Sequence, residues 1–146
     1  MEATVRFVDG LTFLGRGESN HWIAMDGSPA AGGTQAAPTP MELVLMALGG
    51  CSGMDVVSIL RKKRVTVDAF EIRLKAQRAQ EHPKVFTEVE MEYVFTGRDL
   101  RLKDLEDAVR LSQEKYCSVA GVLRGTAALT YRVTVRQPAE EEPTRG

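Results

Sequence analysis

Cysteine and histidine are scarce in this chain, two of each among 146 residues, and each scarcity closes off a class of protein. Two cysteines, Cys51 and Cys117, cannot make the disulfide framework of a small secreted domain. His21 and His82 are too few and too far apart to complete a zinc site with them, so no metal is expected. Charge of one sign is also missing: 19 basic residues face 20 acidic ones, for a net charge of -1. The two signs alternate, as in Glu71, Arg73 and Lys75, leaving no basic stripe for nucleic acid. Long apolar runs are absent, the longest being Leu43 to Leu48, too short for a bilayer, so no membrane partner is expected. Met1 to Val8 lacks the pattern of a secretory signal, and the cytoplasm is the expected compartment. No glycine loop of the P-loop or dinucleotide type is found, and no cofactor is expected.

What is there suits one globular domain. Hydrophobic residues make up 43% and charged residues 27%, enough to build a core. We read residues 1–137 as a single domain and 138–146, with its run Glu140 to Glu142, as a disordered tail. Ala3 to Val8, Leu11 to Arg16 and His21 to Met25 read as a β-meander turned at Asp9-Gly10. Asp26 to Pro38, rich in glycine, proline and small residues, reads as a flexible loop of the length that often carries function. Thr39-Pro40-Met41-Glu42 is a helix start, with Thr39 and Glu42 as a reciprocal cap and Pro40 in the first turn. The helix that follows is apolar on every face, which predicts burial all round. Three glycines interrupt it around Cys51, and each costs about 1 kcal/mol in a helix interior, so close packing or ligand access must explain them.

Val67 to Ala79 and Val85 to Thr96 alternate as two long strands joined by a hairpin at Gln80 to Lys84. Arg101 to Tyr116 is an amphipathic helix, with Leu102, Leu105, Val109, Ser112 and Tyr116 on its apolar face. Ser118 to Arg124 reads as a short helix capped by Ser118, and Ala127 to Val135 as a last strand. Strands, helix, strands, helix, strand is an α+β order with antiparallel pairing. Trp22 is expected in packed core.

The chemistry rests on the cysteines. A free cysteine packs readily as a small hydrophobe. Alternatively, one thiolate can be oxidised to a sulfenic acid that a second thiol condenses with. Cys51 stands too far into its helix for the dipole to help its thiolate, whereas Cys117 lies at the start of a short one. Sequence spacing leaves both readings open.

At these residues the chain resembles the OsmC-like family, which includes osmotically induced protein C and the organic hydroperoxide resistance proteins. The likeness runs from Thr39-Pro40-Met41-Glu42-Leu43 through Ala47-Leu48-Gly49-Gly50 to Cys51, and again over Lys115-Tyr116-Cys117-Ser118-Val119. Its glycine-rich approach to Cys51 resembles a less-characterised branch. The resemblance implies the OsmC-like fold, an intertwined homodimer with antiparallel sheets around a long buried central helix. It implies a cysteine-based peroxidase for organic hydroperoxides: Cys51 attacks, Cys117 resolves, and a dithiol such as dihydrolipoamide or another thiol resets the pair. In the family's peroxidases a glutamate follows the proline and an early-strand arginine favours the thiolate. Here Met41 takes the first place with Glu42 after it, and Arg16 and Arg6 are the arginine candidates, Arg16 preferred. The rival expectation is a small-molecule-binding or stress-related protein on the same scaffold, its ligand held by the loop Asp26 to Pro38 and the helix.

Overall fold

The computed structural model describes residues 1–140. The last part of the expected tail, residues 141–146, lies outside them. The chain divides into two units, Met1–Met46 and Ala47–Gly146.

The first unit holds an antiparallel sheet of order β1-β2-β3, with β1 at Ala3–Asp9, β2 at Thr12–Gly17 and β3 at Trp22–Met25. The Asp9-Gly10 hairpin forms as the dipeptide predicts, Asp9 pairing with Thr12. Trp22 departs from expectation. It is 41% exposed, with the guanidinium groups of Arg6 and Arg16 at 5.3 and 4.9 Å from its ring centre. On this short strand the indole packs with two cations.

The expected flexible loop is tied to one carboxylate. Asp26, 2% exposed, accepts hydrogen bonds from the Gly27 amide at 2.7 Å, the Thr34 hydroxyl at 2.7 Å, and the Thr34 and Ala36 amides at 3.2 and 3.1 Å. A 3-10 turn at Pro29–Ala31 fits within this closure. Gly33 is required there, because a Cβ would collide with the Gly27 carbonyl. Burying a carboxylate is costly unless donors surround it, and here four do. They hold the Asp26 carboxyl below its ordinary value, the Thr34 hydroxyl first and the Ala36 amide next. A depressed folded-state pKa gives stability that is present above the usual carboxylate range and lost as pH falls below it. Protection of the Thr34 and Ala36 amides, measured against the intrinsic exchange rate at each pH, should therefore fall on acidification below about pH 4, and Asp26→Asn should lower it already at neutral pH. Equal exchange in both proteins would show that the loop closes without this carboxylate.

The long helix α1, Pro40–Lys62, starts at the predicted cap: the Thr39 amide donates to Glu42 Oε2 at 2.7 Å, and the Glu42 amide to Thr39 Oγ1 at 3.3 Å. By length and composition α1 could cross a bilayer, despite the short apolar run within it. Leu48, Gly49, Ser52, Val56 and Leu60 are nevertheless buried, at the spacing of one helix face. The other faces are not covered within the single chain, where Met46 is 51% and Met54 75% exposed.

In the second unit that stripe lies on a sheet of order β4-β5-β6, with β4 at Ala69–Arg78, β5 at Phe86–Thr96 and β6 at Ala128–Arg136. Gly49 permits the approach, since a Cβ there would come within 2.9 Å of Leu74 Cδ1. Phe70, Ile72 and Leu74 point inward as their alternation predicts, and Val89, Met91, Tyr93 and Phe95 are fully buried on the central strand. Glu92 sits between its cross-strand partners Arg73 and Arg132 and bonds the latter at 2.6 Å. The hairpin β4–β5 is antiparallel, but β6 runs parallel to β5, which corrects the all-antiparallel expectation. Between β5 and β6 the chain passes through the helices α2, Leu102–Leu111, and α3, Ser118–Leu123. Such a crossover returns the chain to the starting edge, so the next strand must run parallel.

The expected helix Arg101 to Tyr116 is α2 followed by a single π-helical turn, Ser112–Tyr116. Ser112 is buried as its place on the apolar face predicts, while the wider turn also brings Gln113 inward and leaves Tyr116 half exposed. Periodicity reading assumes a constant twist and so misplaces Tyr116.

Candidate functional site

The π turn decides where the second cysteine lies. Its last bond runs from the Cys117 amide to the Ser112 carbonyl at 2.8 Å, after which the backbone extends and α3 begins. Cys117 itself caps α3: its Sγ accepts from the Ala120 amide at 3.4 Å, so the cap is one residue earlier than the expected Ser118. Arg124 donates to the Gln113 carbonyl and fastens the far end of α3 to the same turn.

Cys51 approaches from α1, and Asp55, four residues on, shares its face of the helix. The Cys51 Sγ, an Asp55 carboxylate oxygen and the Cys117 Sγ all lie within 4.8 Å of one another. Two cysteines separated by most of the second unit's sequence thus converge, and both are free thiols. Their surroundings differ. Cys51 is partly exposed while Cys117 is 6% exposed. Burial pushes the Cys117 thiol up to about 11; the Ala120 amide works against that shift, and the neighbouring Cys51 and Asp55 add to it.

Behind the thiols runs a buried line of hydrogen bonds that the sequence reading did not find. Gln113 Nε2 lies 2.6 Å from the Tyr93 hydroxyl, Tyr93 Oη 2.6 Å from Ser52 Oγ, Ser52 Oγ 2.8 Å from Ser112 Oγ, and Ser112 Oγ 2.9 Å from Asp55 Oδ2. A carboxylate only accepts and an amide nitrogen only donates, so the two ends set the direction of every hydroxyl between them. Gln113 donates to Tyr93, Tyr93 to Ser52, Ser52 to Ser112, and Ser112 to Asp55. Aligned donors of this kind polarise one another toward the anion at the end. Burial also pushes the Tyr93 phenol up to about 12, against the pull of Ser52 and Gln113, so the phenol stays a donor. Among the described residues no buried side-chain nitrogen or oxygen lacks a partner.

Of the residues singled out from sequence, the structure brings Cys51 and Cys117 together. Arg6 and Arg16 meet at Trp22 in the first unit, where Arg16 Nη1 also donates to Asn20 Oδ1 at 2.8 Å, and Glu42 closes the α1 cap. Asp55 had a legible signal, a carboxylate one helical turn after a cysteine. Ser52, an isolated hydroxyl in an apolar helix, was another.

The chain is similar to known proteins over most of its length. The family described as OsmC-like protein matches residues 32–132. The chain is 47% identical over 135 residues to protein YhfA of Escherichia coli (strain K12), covering 92% of this chain and 98% of that one. A hypothetical protein from Aquifex aeolicus VF5 superposes with TM-score 0.82 at 36% identity, over 94% of this chain and 96% of its own. An organic hydroperoxide resistance protein OsmC from Legionella pneumophila superposes with TM-score 0.71 at 16% identity, over 92% and 96%, a likeness of fold.

Proposed function

Because the chain belongs to the OsmC-like family, we propose that it is a thiol-dependent peroxidase that reduces organic hydroperoxides through Cys51 and Cys117. The observation that carries this reading is the meeting of the two sulfurs within 4.8 Å. Cys51 is the attacking residue because it is the one that solvent reaches. Its thiolate displaces alkoxide from ROOH, which leaves as ROH on taking a proton, and Cys51 becomes a sulfenic acid. Cys117, held protonated at neutral pH by its burial, is suited to wait rather than attack. It then displaces water from the sulfenic acid, closing a disulfide for which the sulfurs move to about 2.0 Å. A dithiol returns two electrons and two protons and releases the pair. A reducing compartment such as the cytoplasm keeps that cycle supplied. The name of the Legionella pneumophila structure supports the substrate class. Reduced protein mixed with cumene hydroperoxide should lose two thiols for each hydroperoxide consumed, with Cys51 and Cys117 joined in the peptide map. Thiols left intact while hydroperoxide persists would overturn the reading and favour a ligand-binding role for the scaffold.

We further infer a homodimer. Within one chain Val5, Phe7, Ile23, Met46, Met54 and Val122 are exposed, and nothing lies within 4 Å of a Cβ built on Gly50. A second copy of the chain would remove this apolar surface from water, at about 25 cal/mol per Å². Sedimentation should give twice the chain mass at micromolar concentration; a monomer there would refute it.

A further inference from the structure

We propose that Cys51, Asp55 and Cys117 form a binding site for a thiophilic divalent cation of the zinc class, available only while both cysteines are reduced. Three observations carry it, and none involves a hydroperoxide. The three ligand atoms lie within 4.8 Å of one another. Cys51 and Asp55 stand at i and i+4 on one helix face, a spacing that aims two side chains at one point, and Cys117 supplies the third from the end of α3. The donor set, two sulfurs and one carboxylate oxygen, suits zinc, with a fourth position left to water. Bonds of about 2.0 to 2.3 Å in a tetrahedron place ligand atoms roughly 3.5 to 3.8 Å apart, so small side-chain rotations complete the site.

The outer shell points the same way. A ligating carboxylate is oriented by hydrogen bonds from outside the site, and Ser112 donates to Asp55 Oδ2 at 2.9 Å from a line of donors reaching back to Gln113. The Ala120 amide donates to the Cys117 sulfur, a bond that also suits a metal-bound thiolate. Binding is an exchange of protons for metal: the cation enters, two thiols each lose a proton to solvent, and no electrons move. Disulfide formation removes two electrons and both sulfur ligands, so an oxidised chain must release the ion. Metal occupancy and the thiol pair's oxidation are therefore mutually exclusive.

Cobalt(II) titrated anaerobically into the reduced, metal-free full-length protein tests this. One equivalent per chain should produce thiolate-to-cobalt charge-transfer absorption, and zinc should displace it. Cys117→Ser should abolish the charge-transfer signal of a two-sulfur site, Asp55→Asn should weaken zinc binding about tenfold or more, and Ser112→Ala about tenfold. Circular dichroism of each variant establishes that it is folded. Reduced protein without charge-transfer absorption, or zinc affinity unchanged in folded Asp55→Asn, would overturn the proposal. Since no peroxide is added, the result stands apart from the peroxidase reading: a chain that binds cobalt but ignores hydroperoxide refutes only the latter.

Discussion

Cys51→Ser should abolish hydroperoxide reduction, whereas Cys117→Ser should permit one turnover and then stop. A hydroxyl in place of the attacking thiolate is barely ionised at neutral pH and a poor nucleophile, so the first variant loses about three orders of magnitude or more in rate. The second retains the partly exposed thiol and should consume one hydroperoxide per chain. Its sulfenic acid then has no partner within the site, and dimedone should trap it at Cys51 in the peptide map. The asymmetry follows from burial: Cys117 is buried and its Sγ already accepts from the Ala120 amide. A Cys117→Ser protein that turns over repeatedly with dithiol would show that the second thiol is incidental. The reverse pattern, with Cys117 modified by dimedone in Cys51→Ser, would exchange the two roles.

The largest effect on stability is expected at Tyr93. Its side chain is fully buried, stacks near Phe70 with ring centres 6.3 Å apart, and meets Tyr131 edge-on at 6.4 Å. Tyr93→Ala should destabilise the protein by about 3 to 5 kcal/mol, from lost burial and the cavity left behind. Tyr93→Phe keeps the ring and removes one oxygen, yet it should still cost about 1 to 3 kcal/mol. Gln113 would then retain only Ser52 Oγ at 3.3 Å and Met91 Sδ at 3.5 Å, both longer than the bond it lost. Urea unfolding with unchanged slope measures both values. A Tyr93→Phe protein as stable as the parent would mean that the buried line of donors contributes nothing to the fold. If the line orients Asp55, as its geometry indicates, this variant should also perturb cobalt binding while leaving the thiols in place.

Some of the fold was written locally. Thr39 and Glu42 cap each other because a four-residue pattern suffices to satisfy the first amides of a helix. Phe70, Ile72 and Leu74 face the core because strand periodicity is a property of the chain itself. The parallel pairing of β6 was not so written: a strand's residues specify which face is apolar and not which neighbour it will join. Nor was the π turn, since one inserted residue in a helix leaves no mark in composition. Asp26 looked like an ordinary loop residue because its donors come from as far as Ala36, brought round by the backbone.

By itself the sequence determined most of the elements, their order, the inward faces of the long strands and the two residues able to do thiol chemistry. Only the tertiary structure decided that those thiols meet, that Asp55 joins them, and that Gln113, Tyr93, Ser52 and Ser112 stand in line behind it. The division has a physical cause: caps and periodicity act over a few residues, whereas a site's pKa values, partners and reach depend on distances closed by packing α1 and the π turn against one sheet.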